Sequence, residues 1–444
     1  MITKDSPIAF SDPLPEAVDV VVIGAGIIGT GTAWFLARGG LKVLLCEKGR
    51  VAGEQSSRNW GWVRQQGRDP AELPIMMESN RIWRGLAEEA GDSDLDFSMC
   101  GCLYLAEDAK GLGKFESWHE IAKQHGLDTQ MLSKKALAKS APGVNGQWVG
   151  GMLTPSDGRA EPFVAVPALA RAARGLGVSV VENCAVRTVE SEGGSIKAVW
   201  TENGCVRAGA VVLTGGAWST YFASNLGLDI PQLMVRSTAG RTHPAPKVEL
   251  PNVSMPGFAM RRRADGGYTL ATGDVAEHYL SPNSFRYLGK YLKLLGISAE
   301  DVRLRLRMPT GYPGGWGEST CWRGDEESPF ERMRVLDPPA SELASKRLRA
   351  RLPLRAPWVA AAGIAEVWAG MIDVTPDAVP YICEAPEPKG LFIGTGMSGH
   401  GFGIGPGVGR VLADLVRGQP PGHDITRFRF NRFSDGTPIV PGPY

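Results

Sequence analysis

The residues best suited to chemistry lie at 20–48, in VVVIGAGIIGTGTAWFLARGGLKVLLCEK. Gly24, Gly26 and Gly29 have G-x-G-x-x-G spacing, and Glu47 follows 18 residues after Gly29, near the ~20 of a dinucleotide-binding unit. The first glycine permits a tight turn, the second lets a diphosphate approach the backbone, and the third lets a helix pack closely on a strand. Unpaired N–H groups at the helix start, on Ile27 and Ile28, would face the phosphates. Glu47 would accept from the ribose hydroxyls, with Lys48 beside it. Glycine turns are common, so the spacing alone is weak. What gives it weight is the order strand, turn, helix, strand and acid.

That order follows from the apolar pattern. Residues 20–23 read as a buried strand, 27–38 as a helix stopped by Gly39-Gly40, and 41–46 as a second strand. The next stretch, GRVAGEQSSRNWGWVRQQGRD, reads as a loop held against a ligand through Ser56, Ser57, Asn59, Trp60 and Gly61. An ordinary polar surface loop is the alternative. Trp60 and Trp62 would be costly to leave in water, and Arg58 and Arg64 bracket them with a composition suited to phosphate or flavin contact.

Bulk properties exclude several classes. At 444 residues the chain is long enough for two or three domains. A formal net charge of +1 gives no argument for a nucleic-acid or acidic-membrane partner. Seven Cys without C-x-x-C suggest reduced thiols and a cytoplasmic setting. Cys100 and Cys102 read as packing, so no metal site is expected. No run of 18 apolar residues is present, so no membrane span is expected. Residues 1–17 read as a mobile leader.

Further on, 74–90, 112–126, 133–140, 282–296 and 341–353 read as helices and 101–108 as a strand. A helix after Pro155 ends near Gly175–Gly177, a strand–turn–strand covers 185–201, and strands alternate over 230–280. A buried strand at 210–213 runs into Gly215, Gly216 and Trp218, a second close approach of backbone to a ligand. Ala259, Arg261 and Arg263 share one strand face. The 305–335 segment reads as a long loop, a lid or a partner surface. The end of the chain returns to strand, glycine loop and helix in GLFIGTGMSGHGFGIGPGVGRVLADLVRG, with Pro406 in the first helical turn. RFRFNRF at 427–433 reads as a terminal strand or packed tail, not an RNA-binding element.

GAGIIG…CEK, TGGAWS and WAGMIDVTPDAVPYI…GTGMSGHGFGIGP together resemble the FAD-dependent amine and amino-acid oxidoreductases of the D-amino-acid oxidase, glycine oxidase and sarcosine oxidase superfamily. The resemblance implies an α/β protein with a Rossmann-like FAD domain assembled from discontinuous segments (1–85, 151–220, 361–444) and a mixed α+β substrate domain from the pieces between (86–150, 221–360). It also implies FAD at Glu47, with the ring against Gly399, His400, Gly401, Phe402 and Gly403. Val186 and Gly370 join the cofactor set on the same ground. The implied reaction is hydride transfer from the carbon beside an amine nitrogen to flavin N5, with oxygen or another acceptor reoxidising the cofactor.

Arg64 matches a position beside the flavin in the sarcosine branch, and His400 is open to a structural or a catalytic role. Departures bear on substrate. Gly403 stands where the sarcosine branch has a lysine after GHGF, and Met371, Ile372 and Asp373 stand where other branches have a carboxylate-binding arginine. Arg261 could substitute. Thr269 stands at the oxygen-activating lysine position. No His precedes His119 and no Cys lies near Trp368, so FAD is expected without a covalent bond. The expected substrate is a secondary or cyclic amine, or an amino acid whose carboxylate is held unusually. Asp373 would either face that substrate or cap the following turn. Two other readings stand beside this one. The first is a nicotinamide-dependent dehydrogenase. The second is a flavin-bearing subunit that passes electrons to a partner; a homo-oligomer is also allowed.

Overall fold

The computed structural model describes residues 1–442. Two sheets carry the architecture. In the first, five strands run parallel in the spatial order Ser179–Val181, Val43–Cys46, Ala17–Ile23, Gly204–Leu213, Leu391–Thr395. The hairpin Val186–Glu192/Ser195–Thr201 and the strand Tyr381–Glu384 extend it antiparallel. Residues 20–23 and 43–46 are buried throughout, as a strand covered on both faces requires. Helices Ile27–Arg38, Pro162–Gly175 and Gly401–Val416 share one apolar core on one face. A second core, including Trp218, Tyr221, Trp322 and Phe330, lies on the other.

The second sheet has nine strands, with the order Ile364–Val374, Leu233–Thr242, Tyr268–Tyr279, Phe258–Arg262, Asn252–Met255, Cys102–Ala106, Gly150–Thr154, Gln130–Ser133, and Val302–Arg305 paired to Tyr268–Tyr279. It is mixed: Asn252–Met255 runs parallel to Cys102–Ala106, while most neighbours are antiparallel. A small sheet of Trp62–Val63, Gly158–Arg159 and Ser98–Met99 lies between chain segments from both parts.

Three expectations need correction. Gly150–Thr154 and Ile364–Val374 pair in the nine-stranded sheet, although the sequence boundaries assigned 151–220 and 361–444 wholly to the cofactor domain. Alternating apolar residues cannot say which sheet a strand joins. Residues 1–17 are no mobile leader: Phe10 is buried, Ser11 bridges to Val181, and Glu182 accepts from the N–H groups of Ala9 and Phe10. The last long helix starts at Gly401, so Pro406 lies inside it. The 305–335 segment is a long loop as expected, with one short helix, Pro329–Arg332, and aromatic packing of Trp322 and Phe330 on Tyr221 anchors it. RFRFNRF forms two 3-10 turns that bury Phe428 and Phe433, a packed tail.

Candidate active site

A cleft enclosing about 1220 Å³, part of it open to solvent, crosses the C-terminal edge of the parallel strands, where open α/β sheets bind ligands. Its lining follows the strand order: Cys46 and Glu47, then Ile23 and Gly24, then Leu213 to Trp218, then Gly394, Thr395 and the loop to Phe402. The first turn is built tightly. Gly24 has φ +97°. A Cβ on Gly29 would sit 1.9 Å from the Gly24 carbonyl oxygen, so Gly29 lets the helix close on the turn without lining the cavity itself. The Ile27 N–H donates to Ser56 Oγ at 3.0 Å. The N-cap residues Gly26 and His400 give no side-chain cap, but Ser56 occupies the Ile27 N–H that was expected to be unpaired, leaving the other first-turn N–H groups of the two helices at the cavity.

Glu47 anchors one end. Its carboxylate accepts from the N–H of Ala25 at 2.9 Å and of Gly49 at 2.8 Å. Burial nonetheless pushes its pKa up to about 7, with Lys48 and the two N–H groups pulling the other way. A carboxylate held short of solvation at a cavity wall suits hydroxyl donors. Lys48 lines the cavity, but its ammonium is committed to Glu54 (2.6 Å) and the Met333 carbonyl (2.8 Å) over the Trp218 ring.

Of the cofactor residues expected from sequence, Gly24, Gly26, Ile27, Ile28, Glu47, Lys48, Ser56, Asn59, Val186, Gly215, Gly216, Trp218, Gly399, Gly401 and Phe402 line the cavity. The others do not, and each has a structural place. Ser57 donates to the Glu54 carbonyl. Trp60 stacks edge-on with Trp62, and its carbonyl accepts from Arg261. Gly61 leaves room for the Ala160 carbonyl, and Gly370 for Gln55. Gly403 packs on Trp62–Val63, and its carbonyl accepts from Ser79 and Trp83. His400 turns away from the cavity toward Glu72, with Nδ1 3.5 Å from the carboxylate.

Three charged residues depart from their expected roles. Arg261 is 1 % exposed, and its fork is filled by Glu161 at 2.6 and 2.9 Å. It is a structural pair, not a free substrate clamp. Arg58 donates to the Leu336 and Gly53 carbonyls and to Asp337 at 2.7 Å, and it does not line the cavity. Arg64 donates to the Gln66 carbonyl and lies over the Tyr104 ring, and it does not line the cavity. Asp373 lines the cavity and accepts from the N–H of Gly396 (2.8 Å) and Met397 (3.2 Å). It therefore caps the glycine loop, not the turn after it, and burial raises its pKa to about 6. Sequence reasoning missed Glu54, Thr214, Phe330, Met371 and Met397 as cavity residues. Only Thr214, beside the glycine pair, carried a signal.

The pattern of the FAD dependent oxidoreductase family (DAO) matches residues 19–415. The chain belongs to this family. It is 26% identical over 424 residues to the 4-methylaminobutanoate oxidase (formaldehyde-forming) of Paenarthrobacter nicotinovorans, covering 95% of this chain and 46% of that protein. It is 25% identical to the sarcosine oxidase subunit beta of Arthrobacter sp, covering 96% and 94%. The solved structure of L-amino acid deaminase from Proteus myxofaciens superposes with a TM-score of 0.91 at 31% identity, covering 98% of this chain and all of that one. The chain spans less than half the length of the 4-methylaminobutanoate oxidase and of the sarcosine dehydrogenases it also matches. FAD is the family's cofactor, and the cavity fits it: bare backbone at Gly24 and Gly26 in its wall, a buried carboxylate at Glu47, and a helix without a side-chain cap at the far end.

No helix among the described residues is long and apolar enough to cross a membrane, and no group of three or more acidic, His or Cys side chains there could hold a metal.

Proposed function

We propose that this protein oxidises the C–N bond of a small amine or amino acid to the imine. The observation that carries this reading is the continuous cavity from Glu47 to the 399–402 loop in a chain of this family. FAD, when bound, supplies the hydride acceptor. Glu47 accepts from the ribose hydroxyls, while Ser56 and the turn at Gly24 and Gly26 seat the diphosphate. The helix at Gly401 directs its positive end toward charge that gathers on the ring edge. Asn59, Met371, Met397 and Phe402 border the ring end, where an apolar wall excludes water and keeps an amine neutral. The FAD domain in this reading is the eight-stranded sheet with its helices, and the substrate domain is the nine-stranded sheet.

The substrate reading rests on charge. Gly403 and residues 371–373 offer no cation for an α-carboxylate, Arg261 is committed to Glu161, and Asp373 is committed to the loop. A buried carboxylate without a partner is costly. We therefore favour a secondary or cyclic amine. Mixing the holoprotein with amines under anaerobic conditions and following loss of the flavin band tests this.

A second reading keeps the same site but gives the electrons to a partner subunit. It is favoured by the exposed apolar side chains concentrated in one stretch of sequence, Phe285, Leu288, Leu292, Ile297, Leu304 and Leu306, the last 92 % exposed. Turnover of the isolated chain with a dye acceptor supports the self-sufficient enzyme; activity that appears only with a partner supports the second. A cytoplasmic setting accords with seven unpaired cysteines.

FAD is expected to be held without a covalent bond, since no His lines the cavity and Cys46 and Cys184 lie by Glu47 rather than at the ring end. Acid precipitation should leave all yellow colour in the supernatant; colour in the pellet would contradict this. Oxygen is expected to be a slow acceptor. Thr269 is buried and accepts from Arg263 at 3.3 Å, and no lysine stands there. Rapid-mixing reoxidation in air-saturated buffer measures it, and fast reoxidation would make the protein an oxidase.

A further inference from the structure

Behind the loop that borders the ring end lies a buried acid that the proposed chemistry does not use. Glu72 is 1 % exposed, and among the described residues no group hydrogen-bonds to either carboxylate oxygen. His400 Nδ1 lies 3.5 Å from its carboxylate. The neighbours of His400, Gly399, Gly401 and Phe402, line the cavity, so one side of this loop meets the cofactor site and the other meets Glu72. The charged groups that face Glu72 are Arg64, Arg68 and Asp69 from its own segment, Asp377 from the turn after Ile364–Val374, Arg427 from the packed tail, and His400. Arg68 is itself buried, and its Nη1 has no partner among the described residues.

An acid in this setting has two stable arrangements. Burial, followed by the Arg68 and Arg64 guanidiniums, holds His400 well below its ordinary pKa, so its imidazole is neutral. With the imidazole proton on Nε2, a protonated Glu72 can donate its O–H to Nδ1. An ionised Glu72 then presents a lone pair to that nitrogen and turns to Arg68 instead, which withdraws this contact with the loop. Burial raises the Glu72 pKa to about 7, with Arg68 opposing and Asp377 adding to it, so both arrangements are populated near neutrality.

We propose that Glu72 is a positioning residue whose proton fixes the Gly399–Phe402 loop through His400 and thereby sets how readily the bound cofactor is reduced. The inference rests on the cofactor ring lying against that loop, not on which amine is oxidised. A negative charge behind the ring disfavours the anionic reduced state. Ionisation of Glu72 should therefore lower the reduction potential beyond the slope the cofactor shows by itself.

The test is a reductive titration of the holoprotein with a chemical reductant across pH 5.5–8.5 (about the range set by a carboxyl titrating near neutrality), so no substrate is needed. Wild type should show an added downward bend in potential near pH 7, and Glu72→Gln should follow the low-pH limb without it. The infrared C=O stretch of a protonated carboxyl should fade across the same range in wild type, a measurement that needs no variant to fold. His400→Asn should shrink the bend to the part the Glu72 charge makes by itself while keeping the carboxyl band, and an undiminished bend overturns the coupling through His400. A bend that persists in Glu72→Gln, or a carboxyl band that does not change in wild type, overturns the proposal. Either failure leaves amine oxidation untouched, because that is read by substrate-driven bleaching.

Discussion

Arg261→Ala is expected to destabilise the fold by about 3–5 kcal/mol, the usual cost of removing one partner of a buried ion pair. The guanidinium links three separate segments: Glu161 at the start of one helix, the Trp60 carbonyl, and its own strand, Phe258–Arg262. Without it, Glu161 keeps only the Ala264 N–H at 2.8 Å. The pair also carries a pH signature. Burial pushes Glu161 up, but Arg261 and its hydrogen bonds outweigh this and hold it below the ordinary carboxylate range. A depressed carboxyl gives stability that is present above its unfolded pKa and lost as pH falls through the folded one. Chemical denaturation should show a lower midpoint for Arg261→Ala at pH 7 and a smaller difference in acid. An unchanged midpoint with a raised KM for a carboxylate substrate would return Arg261 to the role of a clamp.

Glu47→Ala should weaken FAD binding by about 1.5–3 kcal/mol, the range for hydrogen bonds to a charged group, or roughly 10- to 150-fold in Kd. The sign of its pH dependence is definite. With its pKa raised to about 7 without ligand, Glu47 is largely protonated in mild acid. Ribose hydroxyls donate to the ionised form, so FAD affinity should rise as pH climbs through 7 and the apoprotein should release a proton on binding. The same raised pKa makes the apoprotein lose stability as pH rises from about 4.3, the unfolded value, through 7, because the folded state binds more protons over that window. Fluorescence titration of apoprotein at pH 6 and 8 checks this. Equal affinity at both, or an unaltered Kd in Glu47→Ala, would place the ribose elsewhere.

The cofactor half of this molecule was legible because its signals are local. Gly24, Gly26, Gly29 and Glu47 lie within one supersecondary unit, and the backbone approach they permit is set by residue type. Gly399, Gly401 and Phe402 came instead from the family resemblance of one loop, and they line the cavity. Illegible were the residues whose role depends on a distant partner. Arg261 looked free on its strand until Glu161, 100 positions away, filled its fork. Asp373 looked like a turn cap until the Gly396 and Met397 N–H groups reached it across 23 and 24 positions. Phe330 reaches the cavity only because Trp322 and Tyr221 pin its loop. Sheet membership of Gly150–Thr154 and Ile364–Val374 is likewise decided by pairing, which alternation along one strand does not encode.

The central claim is that Glu47, the glycine turns and the 399–402 loop hold FAD for oxidation of an amine. Anaerobic mixing of the yellow holoprotein with a panel of amines tests it most directly, reading the flavin absorbance band. Secondary and cyclic amines lacking an α-carboxylate should bleach the band at least as fast as glycine, sarcosine or D-alanine. A colourless protein that gains no flavin on reconstitution, or a yellow one that no amine or amino acid bleaches, would contradict the account.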